Sequence, residues 1–400
     1  MREVVIVDAV RTPIGKYKGA LKNIRPDDLG AIVIKALMER NPEMPPELVE
    51  EVVLGNANGA GEDNRNVARM SALLAGMPVE TGGTTINRLC GSGLDAVNYA
   101  ARAILAGEGD VFIAGGTESM TRAPFVMAKP EKEFPRGNME MFDTTIGWRF
   151  INSRLAQRYG TESMPETAEN VAQQFSISRE EQDEFALHSQ LKAKEAMESG
   201  VFQEEIVPVI YKDRKGNEIV IDKDEHPRPD SSMEKLSKLR PLFENGTVTA
   251  GNASGVNDGA SALLLMTAEK AAELGLKPLA KYVVSATAGL EPSVMGLGPI
   301  HATRKALKRA DLEEQDLGLI ELNEAFASQS LACIRELGLD SARVNVNGGA
   351  IAFGHPLGAS GARILTTLLY EMRRRDVRHG LATMCIGVGQ GIATIVEQVE

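Results

Sequence analysis

The sequence predicts an α/β protein built from two copies of one strand–helix unit, with a loop-rich insertion in the first copy. Three observations predict it. Short β-branched runs alternate with longer helix-period runs toward both ends of the chain. The order strand, Gly-rich turn, helix at 84–107 returns at 344–372. Between 121 and 247 the texture changes to Pro, Met and charged residues with few strand signals. The expected units are 1–120 plus 248–275 as the first half, 121–247 as the insertion, and 276–400 as the second half.

Taken in order, VVIVDA (4–9) reads as a strand and DLGAIVIKALMER (28–40) as an amphipathic helix. EEVVLGNA (50–57) is a strand, 63–76 a helix closed by Gly76, and 110–119 a strand. Such alternation implies a largely parallel sheet with helices on its faces. Inside the insertion, 178–199 reads as a helix whose Ser178 and Glu181 form a capping box. Residues 261–275 return to α/β texture, and 279–289 opens the second half as a strand. GLIELNEAFA (318–327) then parallels 50–57, and 379–397 parallels the strand at 110–119. One repeat of this length is a duplication, not a short-period array.

Composition narrows the function. A chain of 400 residues exceeds one ordinary core. A formal net charge of −11 argues against a nucleic-acid binder, which would show a basic face. Acidic side chains also outnumber basic ones in 121–247, so any attraction for phosphate there must be local. The three cysteines, Cys90, Cys333 and Cys385, are too sparse for a disulfide framework and fit a reducing compartment. The N-terminus enters a strand-like run without signal-peptide features. No apolar stretch reaches the ~20 residues that span a bilayer. A cytoplasmic enzyme without membrane insertion is expected.

Three Gly-rich turns each carry a reactive side chain. In NRLCGSGLDA (87–96), Cys90 falls between a strand and a helix. The positive end of a helix dipole favours a thiolate there, and Gly91 and Gly93 leave room for a substrate. A free cysteine is about as often a small buried apolar residue. In GGAIAFGHPLGASG (348–361), His355 is the candidate base, whereas His188, His226, His301 and His379 read as structural or solvated. In CIGVGQG (385–391), Cys385 ends a strand, and the following backbone N–H groups could bind an oxyanion. Cys333, in SLACIREL, reads as packing. Asn323, in NEAFA (323–327), stands at a strand end as a site residue or as a helix cap.

Together these motifs resemble the thiolases, enzymes that make or cleave β-ketoacyl-CoA. The resemblance runs from VVIVDAVRTPIG through NRLCGSG, GGTESM, TVTAGNASGVNDGA, NEAFA and GGAIAFGHPLGASGAR to CIGVGQG. It implies a five-layered αβαβα fold with a loop domain inserted in the first half. It implies that Cys90 becomes acylated and that His355 takes the Cys90 proton. Cys385 exchanges the α-proton of acetyl-CoA, and Asn323 holds a water that forms one oxyanion hole with His355. The N–H groups of Cys90 and Gly387 form the other.

For CoA, the resemblance implies contacts from Ser254, with Ala250 beside it, and from Arg228 near the nucleotide end. Met164 and Phe243 complete the set. Coenzyme A and acetyl-CoA enter as substrates, with no covalently bound cofactor and no metal. A symmetric homo-oligomer, dimer or tetramer, is implied as well.

Ser163 precedes Met164 where some biosynthetic acetoacetyl-CoA thiolases have His-Met. FDTTIGWRF (142–150), SMPETAEN (163–170) and GEDNRNVARM (61–70) resemble the β-ketoadipyl-CoA thiolases of aromatic catabolism, and also relatives with plainer acyl substrates. Two rivals stand beside this reading. A β-ketoacyl synthase would carry a second histidine where Asn323 stands. A non-catalytic CoA- or lipid-binding relative would not need Cys90, His355 and Cys385 all intact.

Overall fold

The computed structural model describes residues 2–399. Its frame is one continuous sheet in two halves, of five strands and of four, joined at one corner. The first runs Gly82–Ile86, Glu51–Gly55, Val111–Ser119, Asn257–Thr267 and Val4–Arg11. The second runs Leu319–Leu322, His379–Ile386, Gln390–Gln398 and Ala280–Gly289. A single parallel bridge from Ile320 to Val344 stands where its edge strand would lie. The halves join where Val5 and Ile6 pair with Lys281 and Ala280. The same order of strands thus occurs twice.

The sheet is mixed, which corrects the expectation of a largely parallel one. In each half the central strands run one way and one strand is reversed. In the first half Asn257–Thr267 is antiparallel to both neighbours. In the second half it is Gln390–Gln398. The reason is connectivity. Gln390–Gln398 returns through a tight hairpin, and Asn257–Thr267 arrives after the long insertion, so neither needs the helical crossover that parallel pairing requires.

Side-chain alternation builds the layers. Along Asn257–Thr267 every residue is buried, so an unbroken apolar run is needed where both faces are covered. Leu264 and Met266 pack outward with Leu29, Val33 and Leu37 of the helix Pro26–Arg40. Leu263 and Leu265 pack inward with Leu94 and Val97 of Ser92–Ala106 and with Leu365 and Leu368 of Leu357–Arg375. Met384, Ile386 and Ile392 of the second sheet close on the same two helices. Beyond that sheet, Ala393 and Ile395 meet Ile300 and Leu307 of Gly298–Ala310 and Cys333 of Ala327–Glu336. The stack is αβαβα.

The two central helices touch near their N-terminal ends. A Cβ on Gly361 would lie 2.4 Å from the backbone N of Leu94, and one on Gly93 would lie 2.6 Å from the Gly358 carbonyl. These glycines serve close helix approach. That corrects the expectation that Gly91 and Gly93 leave room for a substrate. A Cβ on Gly91 would meet the Ile386 side chain at 2.6 Å.

The segment 121–247 lies over the strand ends that carry the site. The helix Arg179–Glu198 has the capping box at Ser178 and Glu181. Glu205 and Asp224 clamp the fully buried Arg11 of the first strand at 2.6 and 2.7 Å. The helix Met164–Gln174 brings Met164 and Ala168 against Cys385.

Candidate active site

Four expected residues occupy related places in the two halves. Cys90 stands two residues before the helix Ser92–Ala106, and His355 two residues before Leu357–Arg375. Asn323 directly follows the strand Leu319–Leu322, as Asn56 follows Glu51–Gly55. Cys385 lies two residues beyond Thr383, the partner of Leu322, and Glu118 two beyond Gly116, the partner of Gly55. Cys90, Asn323, Cys385 and Glu118 stand at carboxyl ends of strands or in the turns that follow, where α/β sheets build ligand sites, and His355 follows the short helix Ala350–Phe353.

Cys90 is held by a strained turn. Leu89 has φ 46°, a left-handed conformation that an ordinary side chain rarely adopts. Its N–H donates to Asn87 Oδ1 at 2.9 Å, and Ser92 Oγ donates to its carbonyl at 2.6 Å. Burial pushes the Cys90 thiol up to about 11, against the pull of the N–H groups of Gly387 and of Cys90 itself, while Glu118 adds to the rise. The residue keeps some surface exposure, yet its sulfur lies among packed groups. Desolvation therefore outweighs those two N–H groups, and the resting group is a thiol. The expected thiolate is corrected on that ground.

His355 is buried and neutral. Burial pushes its imidazole down to about 3, and Arg363 adds repulsion. Nδ1 lies 2.6 Å from Ser360 Oγ, which in turn lies 2.9 Å from the Pro356 carbonyl. Both contacts are satisfied if Nδ1–H donates to Ser360 and the serine hydroxyl donates onward. That assigns the lone pair to Nε2, which has no hydrogen-bond partner among the described residues. Asn323 shares this condition. It is buried, and neither of its side-chain amide atoms has a partner among the described residues. The next helix begins at Ala327 with Phe326 as its cap, so Asn323 caps nothing. An amide and an imidazole buried with free polar atoms cost stability unless something else engages them.

Cys385 is buried among Ala325, Phe326, Met295 and Val248. Burial and the neighbouring Cys90 push its thiol well above the ordinary value. Gly387 follows in the hairpin, where a Cβ would lie 3.1 Å from Leu89 and 3.9 Å from the Met164 sulfur. Val388, next in line, has φ 61°, a strained value for a β-branched residue.

Sequence reasoning missed the acids and amides that hold these turns. Glu118 accepts hydrogen bonds from the N–H groups of Ala57 and Gly358, both at 2.8 Å. Burial raises its carboxyl to about 7, partly opposed by those N–H groups. Asn257 Oδ1 accepts from the His355 N–H at 2.9 Å, and its Nδ2 lies 3.2 Å from His226 Nδ1. Glu324 accepts from Ser189, Asn345 and the Ile351 N–H. The signal was present in GGTESM, GVNDGA and NEAFA as polar residues inside apolar strands, but nothing in the letters distinguishes a support from a reactant.

The expected CoA contacts are only partly brought together. Arg228 and Ala250 line one cleft with His226, Ser231 and Lys235. His226 is therefore half-buried in this cleft and not solvated. Ser254 is anchored nearby by its N–H to the Ala325 carbonyl at 2.9 Å. Met164 packs instead on the apolar cluster that contains Cys385. Phe243 lines a separate acidic cleft with Glu162, Glu166 and Glu169, because the turn at 243–246 folds toward the helix Met164–Gln174.

Comparison with known proteins decides the family. Residues 4–269 match the thiolase N-terminal domain and residues 276–398 the thiolase C-terminal domain. The chain belongs to the thiolase family. It is 59% identical, over the whole of both chains, to the 3-oxoadipyl-CoA/3-oxo-5,6-dehydrosuberyl-CoA thiolase of Escherichia coli strain K12. It is 57% identical, again over both full chains, to a beta-ketoadipyl-CoA thiolase of Acinetobacter baylyi. The crystal structure of the Bacillus anthracis acetyl-CoA acetyltransferase superposes with a TM-score of 0.93 at 43% identity, covering 100% of this chain and 99% of the other.

A thiolase is an acyltransferase, and its chemistry needs a nucleophile, a base and groups that accept negative charge. Among the described residues no helix of this thiolase is long and apolar enough to cross a membrane.

Proposed function

We propose that this thiolase cleaves 3-oxoadipyl-CoA with CoA, releasing acetyl-CoA and the acyl-CoA that keeps the distal carboxylate. The observation that carries the substrate is the 59% full-length identity to a thiolase named for that compound. The segments FDTTIGWRF and SMPETAEN support it.

The cleavage runs on four side chains. The Cys90 thiol gives its proton to His355 Nε2, and its sulfur bonds to the 3-oxo carbon. The resting proton positions, a protonated thiol on Cys90 and a neutral imidazole on His355, supply the starting state. The C2–C3 bond breaks, and its electron pair stays with the acetyl-CoA fragment as an enolate. Cys385 gives its thiol proton to C2, and acetyl-CoA departs. The acyl group remains on Cys90 as a thioester. The incoming CoA thiol gives its proton to the Cys385 thiolate and attacks that thioester. Cys90 leaves and recovers its proton from His355. The N–H groups of Cys90 and Gly387 stabilise one oxyanion, and a water held by Asn323 with His355 stabilises the other. Run backward, the same steps condense two acyl groups.

CoA lies along the cleft lined by Arg228 and Ala250 and runs toward Ser254. The large exposed apolar side chains Phe125, Phe134 and Ile146 support a homo-oligomer, a dimer or a tetramer. Three unpaired cysteines support a reducing, cytoplasmic setting.

A plain acetoacetyl-CoA substrate is the second reading, favoured by the name of the 43% identical Bacillus anthracis structure. A thiolysis panel of acetoacetyl-, 3-oxooctanoyl- and 3-oxoadipyl-CoA separates them. The highest kcat/KM is expected for 3-oxoadipyl-CoA, and a preference for acetoacetyl-CoA would overturn the substrate assignment.

A further inference from the structure

A thiolase that takes a dicarboxylic substrate must desolvate the distal carboxylate or meet it with a cation. Arg149, in the FDTTIGWRF segment, is placed to meet it. It makes no ion pair among the described residues, and its one side-chain hydrogen bond is to Asn58 Oδ1 at 3.2 Å. Arg88 and Arg122, which flank the same region, are both committed, to Asp95 at 2.7 Å and to Glu62 at 2.5 Å. Arg149 is half-buried, so a carboxylate that reached it would be partly shielded from water.

Its supports tie it to both walls of the centre. Asn58 is fixed by donating to the carbonyl and hydroxyl of Thr144, both at 3.1 Å. That leaves its oxygen to hold the guanidinium. The preceding residue, Ala57, accepts from Asn87 Nδ2 at 2.9 Å, and Asn87 orders the turn that carries Cys90. On the other side, Trp148 Nε1 donates to the Glu162 carbonyl at 3.2 Å, two residues before Met164, which packs on the cluster that contains Cys385. Arg149 is thus linked through Asn58 and Ala57 to the Cys90 turn, and through Trp148 to the segment that leads into the helix Met164–Gln174. A neutral hydrogen-bond acceptor steers its planar fork while its charge stays available, the arrangement suited to bidentate carboxylate recognition.

We propose that Arg149 binds the distal carboxylate of the acyl chain and sets the preference of this thiolase for dicarboxylic 3-oxoacyl-CoA. The proposal rests on the substrate reading given above. The test compares kcat/KM for 3-oxoadipyl-CoA with that for 3-oxohexanoyl-CoA, which has the same chain length and no carboxylate. The ratio of the two is the readout, because a general loss of folded protein leaves it unmoved. A wild-type ratio near one would defeat the substrate reading and the proposal with it. Given a wild-type ratio well above one, Arg149→Gln is expected to lower it roughly 10- to 100-fold, the scale of one charge-assisted pair. The loss should appear mainly in KM, and Arg149→Lys should restore part of it. A ratio within twofold of wild type in Arg149→Gln would overturn the role of Arg149 while leaving the substrate reading in place.

Discussion

The carboxylate of Glu118 accepts a 2.8 Å hydrogen bond from the backbone N–H of Gly358, so the first half of the chain fixes the start of the helix that follows His355. The same carboxylate accepts from Ala57 beside the Cys90 turn. Glu118→Ala would leave both buried N–H groups unpartnered, at about 1–3 kcal/mol each. A lower urea midpoint with an unchanged m-value is expected, together with a fall in kcat larger than the change in KM. Wild-type kcat in a folded Glu118→Ala protein would refute the positioning role.

The roles proposed for Cys90 and Cys385 should separate cleanly. Cys90→Ser is expected to abolish covalent labelling by radioactive acetyl-CoA. Cys385→Ala is expected to keep the label and lose carbon–carbon bond formation by at least about 100-fold, the usual contribution of a positioned acid or base. Normal condensation by Cys385→Ala would show that the α-proton goes elsewhere.

Gly361→Ala sets helix propensity against packing. Alanine in a helix interior gains about 1 kcal/mol over glycine. Its Cβ would lie 2.4 Å from the Leu94 backbone, which cannot move without shifting the other central helix. Overpacking costs about 1–3 kcal/mol, so net destabilisation is expected. Chemical denaturation decides the sign, and a stabilised variant would mean that the helices separate easily.

Acid should weaken the fold through two desolvated histidines, the half-buried His226 and the buried His355. Burial lowers the His226 pKa from its ordinary 6.5 to about 4, and His355 shifts the same way. Between those values the unfolded chain binds more protons than the native one. Stability is therefore full above about pH 6.5 and is lost as pH falls toward 4. For His226 the loss is on the order of 2–3 kcal/mol. Thermal unfolding from pH 7.5 to 4.5 should show a shallower decline for His226→Asn than for wild type. Parallel curves would contradict the assignment.

Most of the frame was legible because periodicity reports burial. The run at 261–275 read as a return to α/β texture, and the repeated strand–turn–helix order exposed the duplication. Strand direction was not legible, because Asn257–Thr267 and Gln390–Gln398 carry the same apolar letters whichever way they run. Cys90, His355, Cys385 and Asn323 stood out by their turns and strand ends. The resting charge of Cys90 did not, since it depends on desolvation by residues far off in sequence. Arg149 was invisible as a candidate for the same reason: its lack of an acidic partner is a fact about space, not about its neighbours in the chain.

Cys90 and His355 stand at matching positions of the two halves, as do Glu118 and Cys385. A symmetric pair of separate identical subunits would have to place the same side chain at both positions of each pair. Joining the copies in one polypeptide lifts that restriction, so the two copies can hold different side chains at equivalent places, as the roles proposed for Cys90 and His355 require. The asymmetry that the reaction demands is thus a product of covalent fusion.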